Sequence, residues 1–266
     1  MKKIQKGFLI ATLVVALLQI HGCKKDVDLK HLENLKPCSI DKIISYDRIY
    51  RRNDTAVFTY NVHGNPTLIK VTNPGTGNPN YAFRYDTRKR LTHLNAYYHT
   101  INGYEQFKIF TYGADGRVAV DTTYIFGFTP DGLNPGTSWG KAINRYTYDA
   151  LGRITRVDTE RILPDPVFST RTFSYDAAGN LVWPGAVYDD KINFRRTNKL
   201  WQFLDQDYSV NNSLIADSYN PVLPLSFRSP DTYRYFLTID YNDADIYYNC
   251  KFPGFVLPAE RENKSR

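Results

Sequence analysis

The chain is poor in the residues from which most sites are made. Its 266 residues hold three cysteines and five histidines, and the one sustained apolar run, Phe8 to Leu18, is too short to span a membrane. No nucleophile elbow, zinc-binding HExxH pair, phosphate loop or dinucleotide fingerprint occurs in it. The histidines are His21, His31, His63, His93 and His99, and the pairing of His93 with His99 is an odd one for a metal. These absences argue against the common metal and nucleotide chemistries, so the sequence predicts no cofactor, no metal ligand and no catalytic residue. Charge is undirected as well. Outside residues 1–22 the chain carries 31 basic and 27 acidic side chains, a net +4, scattered through mixed segments. A pI near 9.1 without a basic stripe gives no reason to expect a nucleic-acid partner.

What is present begins with the two ends. Lys2, Lys3 and Lys6 precede the apolar run, which is followed by Leu18-Gln19-Ile20-His21-Gly22-Cys23. A small residue ahead of a cysteine after an apolar core resembles the lipobox of bacterial lipoproteins, although His21 is unusual there. The resemblance implies a signal peptide over 1–22, lipidation of Cys23 and a charged tether over 23–37 beginning Lys24-Lys25-Asp26. It places the mature chain at the cell envelope, anchored to the outer membrane on its periplasmic or outer side. An ordinary secretory signal is the alternative. Two cysteines then remain, Cys38 and Cys250, a candidate disulfide in an oxidising compartment that would close a loop of roughly 200 residues and contribute at most ~5 kcal/mol. Two buried free thiols are the other outcome. The last residues, 259–266, are charged and read as a disordered tail.

Between the ends, one phrase returns. TYNVHGNPTLI, RYDTRKRLTHL, TYGADGRVAV, TYDALGRITRV and SYDAAGNLV share a register: aromatic, any residue, Tyr, then Asp or Asn in most copies, two variable residues, Gly, Arg or Asn, and an aliphatic. The tyrosines are Tyr60, Tyr85, Tyr112, Tyr148 and Tyr175, spaced 25, 27, 36 and 27 apart, with a degenerate sixth at Tyr241. Phe58, Phe83, Phe110, Tyr146 and Phe173 stand two places earlier and so share a strand face with them. The acidic or amide residue opens a type I turn and glycine accepts the positive φ that re-enters the partner strand. Gly64, Gly116, Gly152 and Gly179 fit that place, whereas Lys89 and Asp245 do not, and looser turns are expected there. Pro66 suggests an edge or an irregular entry in the first copy. Asp86, Asp149 and Asp176 are thereby explained as turn formers.

Each phrase is therefore one hairpin, which cannot bury its apolar face unless hairpins lie side by side. The phrase resembles the YD repeat of the RHS and teneurin families, in which hairpins coil into a β-shell, and is similar over about 57–182 to that of short YD-repeat bacterial lipoproteins. Five or six copies are too few to close a shell. The expected fold is all-β: a curved antiparallel sheet or half-barrel over a single domain, 38–258, with a short helix or loop cover near 190–210, where Leu200, Phe203 and Leu204 have helical spacing. Trp201 and Phe203 belong to the core on this reading.

Two stretches interrupt the repeat. FGFTPDGLNPGTSWGK, 126–141, is a long loop on the same reading and offers Trp139 as a candidate binding residue; DDKINFRRTNK opens the second, with the carboxylate pair Asp189 and Asp190. The expectation for function is a non-enzymatic, lipid-anchored structural or binding protein whose partners are the membrane and a glycan or other envelope component. The alternatives are a carrier or chaperone for an apolar molecule and a hydrolase built on paired carboxylates.

Overall fold

A computed structural model describes residues 39–47, 52–213 and 237–241 of this chain, all within the unit Pro37–Arg266. Cys23, Cys38 and Cys250, the tail 259–266 and the turn at Asp245 lie outside the described residues. The described residues form thirteen strands: β1 Ile40–Asp47, β2 Arg52–Tyr60, β3 Pro66–Val71, β4 Asn80–Tyr85, β5 Leu91–Tyr97, β6 Gly103–Tyr112, β7 Val118–Phe128, β8 Ser138–Tyr148, β9 Ile154–Leu163, β10 Val167–Thr172, β11 Tyr188–Ile192, β12 Asn211–Ser213 and β13 Leu237–Tyr241. Ten follow one another as an antiparallel meander from β10 back to β1, and β13 adds itself beside β1, giving an eleven-stranded open sheet; β11 and β12 pair separately. The curved sheet of stacked hairpins is the fold that the repeat predicts.

The turns explain why the repeat is so regular. In all five copies the residue after the tyrosine accepts from the amide three positions on, Gly64 to Asn61, Lys89 to Asp86, Gly116 to Gly113, Gly152 to Asp149 and Gly179 to Asp176. The donating residue is always in the left-handed region. Lys89 holds it too, at φ 63, so the looser turn expected there does not form. Asp86 accepts from the Arg90 amide and its Nε, both at 2.8 Å, as Asp149 does from Arg153 at the glycine-bearing turn. Every tyrosine then pairs with the residue six positions on after a one-residue register shift, or through an isolated bridge in the case of Tyr175 and Leu181. Pro66 obeys the same rule inside the sheet, which corrects the expectation of an edge: at the first position of β3 its missing N–H is not required.

Successive hairpins are joined by their tyrosines. Each hydroxyl donates to the carbonyl of the first residue of the return strand one hairpin earlier: Tyr60 to Ile40 at 2.9 Å, Tyr85 to Pro66 at 2.6 Å, Tyr112 to Leu91 at 2.8 Å, Tyr148 to Val118 at 2.7 Å and Tyr175 to Ile154 at 3.0 Å. A sixth rung is Tyr188, which donates to Leu181 at 2.6 Å and ends the series. The arginine of the phrase adds a second tie, because Arg90, Arg117 and Arg153 lie over the rings of Tyr112, Tyr148 and Tyr175, at 4.6, 5.4 and 4.0 Å. Burial raises the hydroxyl pKa along this ladder, that of Tyr112 to about 12.

The aromatic face is covered by a short helix, α1, Lys199–Asp205. Asn198 caps it, accepting from the Leu200 amide at 2.9 Å, and its own amide group reaches the Gly64 carbonyl of the first turn at 3.2 Å. Fully buried Trp201 sits edge-on to both Phe58 and Phe83, ring centroids 5.7 Å apart in each case, while Phe203 meets Phe110 and Tyr146. Arg195, in the 310 turn Phe194–Thr197, pairs with Asp205 at 2.5 Å and Asp207 at 3.4 Å, closing the cover on itself. At its far end the amide of Leu181 donates to Ser209 Oγ at 3.0 Å, and the side chains of Asn180 and Asn211 bond at 3.1 Å. A helix too short to persist alone is thus held by the rings beneath it.

Two outcomes follow from the turns and the ladder. Lys89→Gly should raise urea-unfolding stability by about 1 kcal/mol and Gly116→Ala should lower it by about as much, since a Cβ at residue 116 meets no atom within 4 Å and only the left-handed backbone is penalised. Tyrosine ionises at about pH 10 in an unfolded chain. The folded values are raised, so the neutral ladder's stabilisation is complete below about pH 10 and is lost as pH rises through the folded value of about 12 for Tyr112. Tyrosinate absorbance should therefore lag in the folded protein and rise together with loss of β circular dichroism; ionisation of all tyrosines near pH 10 with the sheet intact would refute this.

Candidate functional site

Alternation along the strands separates two faces. On β8, Ala142, Asn144 and Tyr146 point with the aromatic core, so Trp139, Lys141, Ile143 and Arg145 occupy the opposite, outer face. The side chains with chemical potential fall into one group on each face.

On the core face, beyond the rings, Asp121 of β7 is completely buried. One carboxylate oxygen accepts from Thr123 Oγ1 at 2.6 Å and from Asn144 Nδ2 at 2.9 Å, and the other accepts from the Tyr146 hydroxyl. Thr159 Oγ1 donates to Asn144 Oδ1 at 2.7 Å and carries the network to β9. Burial, reinforced by the charge of Asp121, holds the Tyr146 hydroxyl well above its ordinary pKa. A carboxylate with both oxygens filled by donors is a structural centre, since its lone pairs are committed.

On the outer face, residues 129–137 form a fixed arch rather than a loose loop. The Tyr104 hydroxyl donates to the Thr137 carbonyl at 2.9 Å, the Phe128 amide to the same oxygen at 3.0 Å, and the Thr129 amide to Asn102 at 2.7 Å. Asp131 accepts from the Leu133 and Asn134 amides at 2.7 and 2.8 Å, and these bonds hold its carboxyl well below the usual range. Glycine is required at residue 127, where a Cβ would lie 2.1 Å from the Thr137 carbonyl and 2.4 Å from the Tyr104 hydroxyl. Buried Tyr97, Tyr104 and Phe107, with His93 edge-on to Phe107 at 5.9 Å, form a satellite core beneath. Burial, aided by the charge of Arg84, lowers the His93 pKa and keeps the ring neutral near pH 7.

The 36-residue spacing therefore reflects two long strands and a nine-residue arch, and Trp139 belongs to β8, not to a loop. It is 83 % exposed. By the register of β7 and β8, in which Ile125 pairs with Gly140 and Gly127 with Ser138, Trp139 stands opposite Phe126, a residue at φ 46 and itself exposed. Beside them Lys141 Nζ lies 5.5 Å from the Tyr124 ring centroid.

The positions foreseen from sequence sort cleanly. The five repeat tyrosines are structural, Trp201 and Phe203 are core, and Asp86, Asp149 and Asp176 each accept at a turn. His63 is exposed in a turn and His93 lies on β5. Asp189 and Asp190 lie on β11, but their side chains are outside the described part. Among the described residues no group of three His, Cys, Asp or Glu side chains could hold a metal ion, and no helix is long and apolar enough to cross a membrane. Sequence reading missed Asp121, whose signal was an acid in mid-strand, and Phe126, Arg84 and Lys141, whose signal was the outward phase of their strands.

No protein-family profile matches the chain. It is similar to the tRNA3(Ser)-specific nuclease WapA of Bacillus spizizenii and to the tRNA nuclease WapA of Bacillus subtilis, each 25 % identical over 228 residues, covering 75 % of this chain and 9 % of the relative. The tRNA(Glu)-specific nuclease WapA of Bacillus subtilis subsp. natto is 26 % identical over 211 residues, 69 % of this chain and 9 % of that protein. The chain thus spans about a tenth of the length of these relatives. A crystal structure of TcdB2-TccC3 without its hypervariable C-terminal region aligns with a TM-score of 0.21 at 14 % identity, over 49 % of this chain and 7 % of that one.

The nuclease relatives correct three expectations drawn from composition and motif absence. The structural or binding role with its glycan partner, the assignment as a non-enzyme and the exclusion of nucleic acid all give way to similarity with proteins named for cleaving tRNA. Net charge is a poor guide here because it averages over the two faces of the sheet. For the core-face network, Asp121→Ala should cost about 3 kcal/mol in denaturant unfolding by leaving three buried donors unsatisfied; a cost below about 1 kcal/mol would show that the network is slack.

Proposed function

We propose that this chain serves tRNA cleavage, its YD-repeat sheet being the rigid frame of a nuclease of the kind its relatives are named for. The observation that carries the proposal is the match of three quarters of the chain to two proteins named as tRNA nucleases. A frame of this sort suits the task physically. Cleavage of a folded RNA demands that contacts several ångströms apart be held in register, and a sheet tied rung by rung holds outward side chains at fixed intervals of about 4.8 Å between strands.

The N-terminal segment supports a location for this activity. A signal over 1–22 and lipidation at Cys23 would make the chain a short YD-repeat lipoprotein held at the cell envelope, where a nuclease acts on RNA it meets outside its own cytoplasm.

Incubating the folded, full-length chain with total tRNA and sequencing the product ends tests the proposal. Discrete cuts in a subset of tRNAs, eluting with the folded protein and lost on its unfolding, are expected. Intact tRNA after prolonged incubation with an equimolar amount of the chain would overturn it.

A further inference from the structure

On the outer face we infer a binding strip for single-stranded RNA, running from Arg84 on β4 to Trp139 and Lys141 on β8; the choice of RNA rests on the nuclease reading above. The strip is built by register. Arg84 pairs with His93, His93 with Ile109, Ile109 with Thr122 and Thr122 with Ile143, while Tyr124 and Lys141 pair in the adjacent row, which buried Phe107 begins beneath the arch. All of these side chains share the outer phase of their strands. Four strand spacings separate Arg84 from Lys141, roughly 19 Å, a span that a few unstacked nucleotides cover.

Three properties of the strip fit RNA. Its cations are available among the described residues: Arg84 is exposed and Lys141 lies over the Tyr124 ring, whereas the acids farther along this face, Glu160 and Asp158, are already paired with Arg145 and Arg156 at 3.0 and 2.8 Å. Its aromatic side chains are exposed on a fixed support: Trp139 and Phe126 face each other beside the arch that Tyr104 and Gly127 lock in place. Phe126, finally, holds a left-handed backbone that a bulky residue adopts at a cost, while 41 % of its surface stays exposed. Exposed rings next to unpaired cations are the elements by which single-stranded RNA is held, bases stacking on the rings and phosphates meeting the cations. A duplex offers no such faces, so the strip takes loops or unpaired ends.

Binding of a short unstructured RNA oligonucleotide to the full-length chain, measured by fluorescence anisotropy across a salt series, tests the inference. Trp139→Ala should weaken binding about tenfold, and Arg84→Ala and Lys141→Ala should each make the logarithmic salt dependence shallower by about 0.7. Phe126→Gly is the decisive variant, because it relieves the strained backbone: the protein should melt higher and bind RNA more weakly. Unchanged affinity in both Trp139→Ala and Phe126→Gly, or equal affinity for a duplex of the same length, would overturn the strip even if tRNA is cleaved. Loss of oligonucleotide binding in these variants would uphold the strip even if the chain cuts no tRNA. Vesicle binding that depends on Trp139, without RNA binding, would assign this surface to a membrane and likewise overturn the inference.

Discussion

The fold depends on one repeated hydrogen bond, in which a tyrosine hydroxyl donates to the carbonyl at the start of the preceding hairpin's return strand. A hairpin by itself is marginal in water, because one of its faces stays exposed. Backbone pairing between neighbouring strands supplies attraction along the sheet but does not fix how hairpins are phased. The tyrosine does fix it, since its ring must lie across the neighbouring turn for its hydroxyl to reach that oxygen. Arginines such as Arg153 over the Tyr175 ring hold the same geometry from above. Repetition of the rung leaves every Phe or Tyr two positions upstream on one surface, and that surface is what Trp201 and Phe203 cover.

Much of this was legible in the sequence, for a physical reason: the turn, the strand phase and the aromatic face all act over fewer than ten residues. Gly152 in TYDALGR announces its positive φ, and Phe110 and Tyr112 announce a shared face. The partners of the rungs were not legible, because Tyr148 finds Val118 thirty positions away and no local pattern names a carbonyl. Tyr188 escaped notice for a related reason, since it closes the ladder only 13 residues after Tyr175, well short of the repeat period. The strand β1 ends in Ser45-Tyr46-Asp47, the opening of the phrase without its glycine, and joins by pairing with β2. Lys89 shows the converse: a residue that violates the glycine rule still takes the left-handed region, within the same turn hydrogen bonds as the glycine copies.

The candidate site was less legible than the fold. Trp139 drew attention as an aromatic in an irregular stretch, yet its significance comes from the outward phase of β8 and the strained Phe126 opposite, both tertiary facts. Composition argued against nucleic acid because Arg145 and Arg156 sit among the acids that neutralise them, and a sum cannot distinguish these from Arg84. Similarity to tRNA nucleases supplies what charge counting could not, and the proposed strip on the outer face follows from reading that similarity together with strand phase.

The rung is most directly tested by removing single hydroxyls while keeping the rings. Equilibrium unfolding of Tyr85→Phe, Tyr112→Phe and Tyr148→Phe, one at a time and together, reads each rung separately. The account predicts a loss of about 1 kcal/mol per rung, with a larger loss in the triple variant and a transition that loses its cooperativity. Three phenylalanine variants as stable as the parent, unfolding in one unchanged transition, would show that strand pairing and ring burial suffice and that the hydroxyl ladder is incidental.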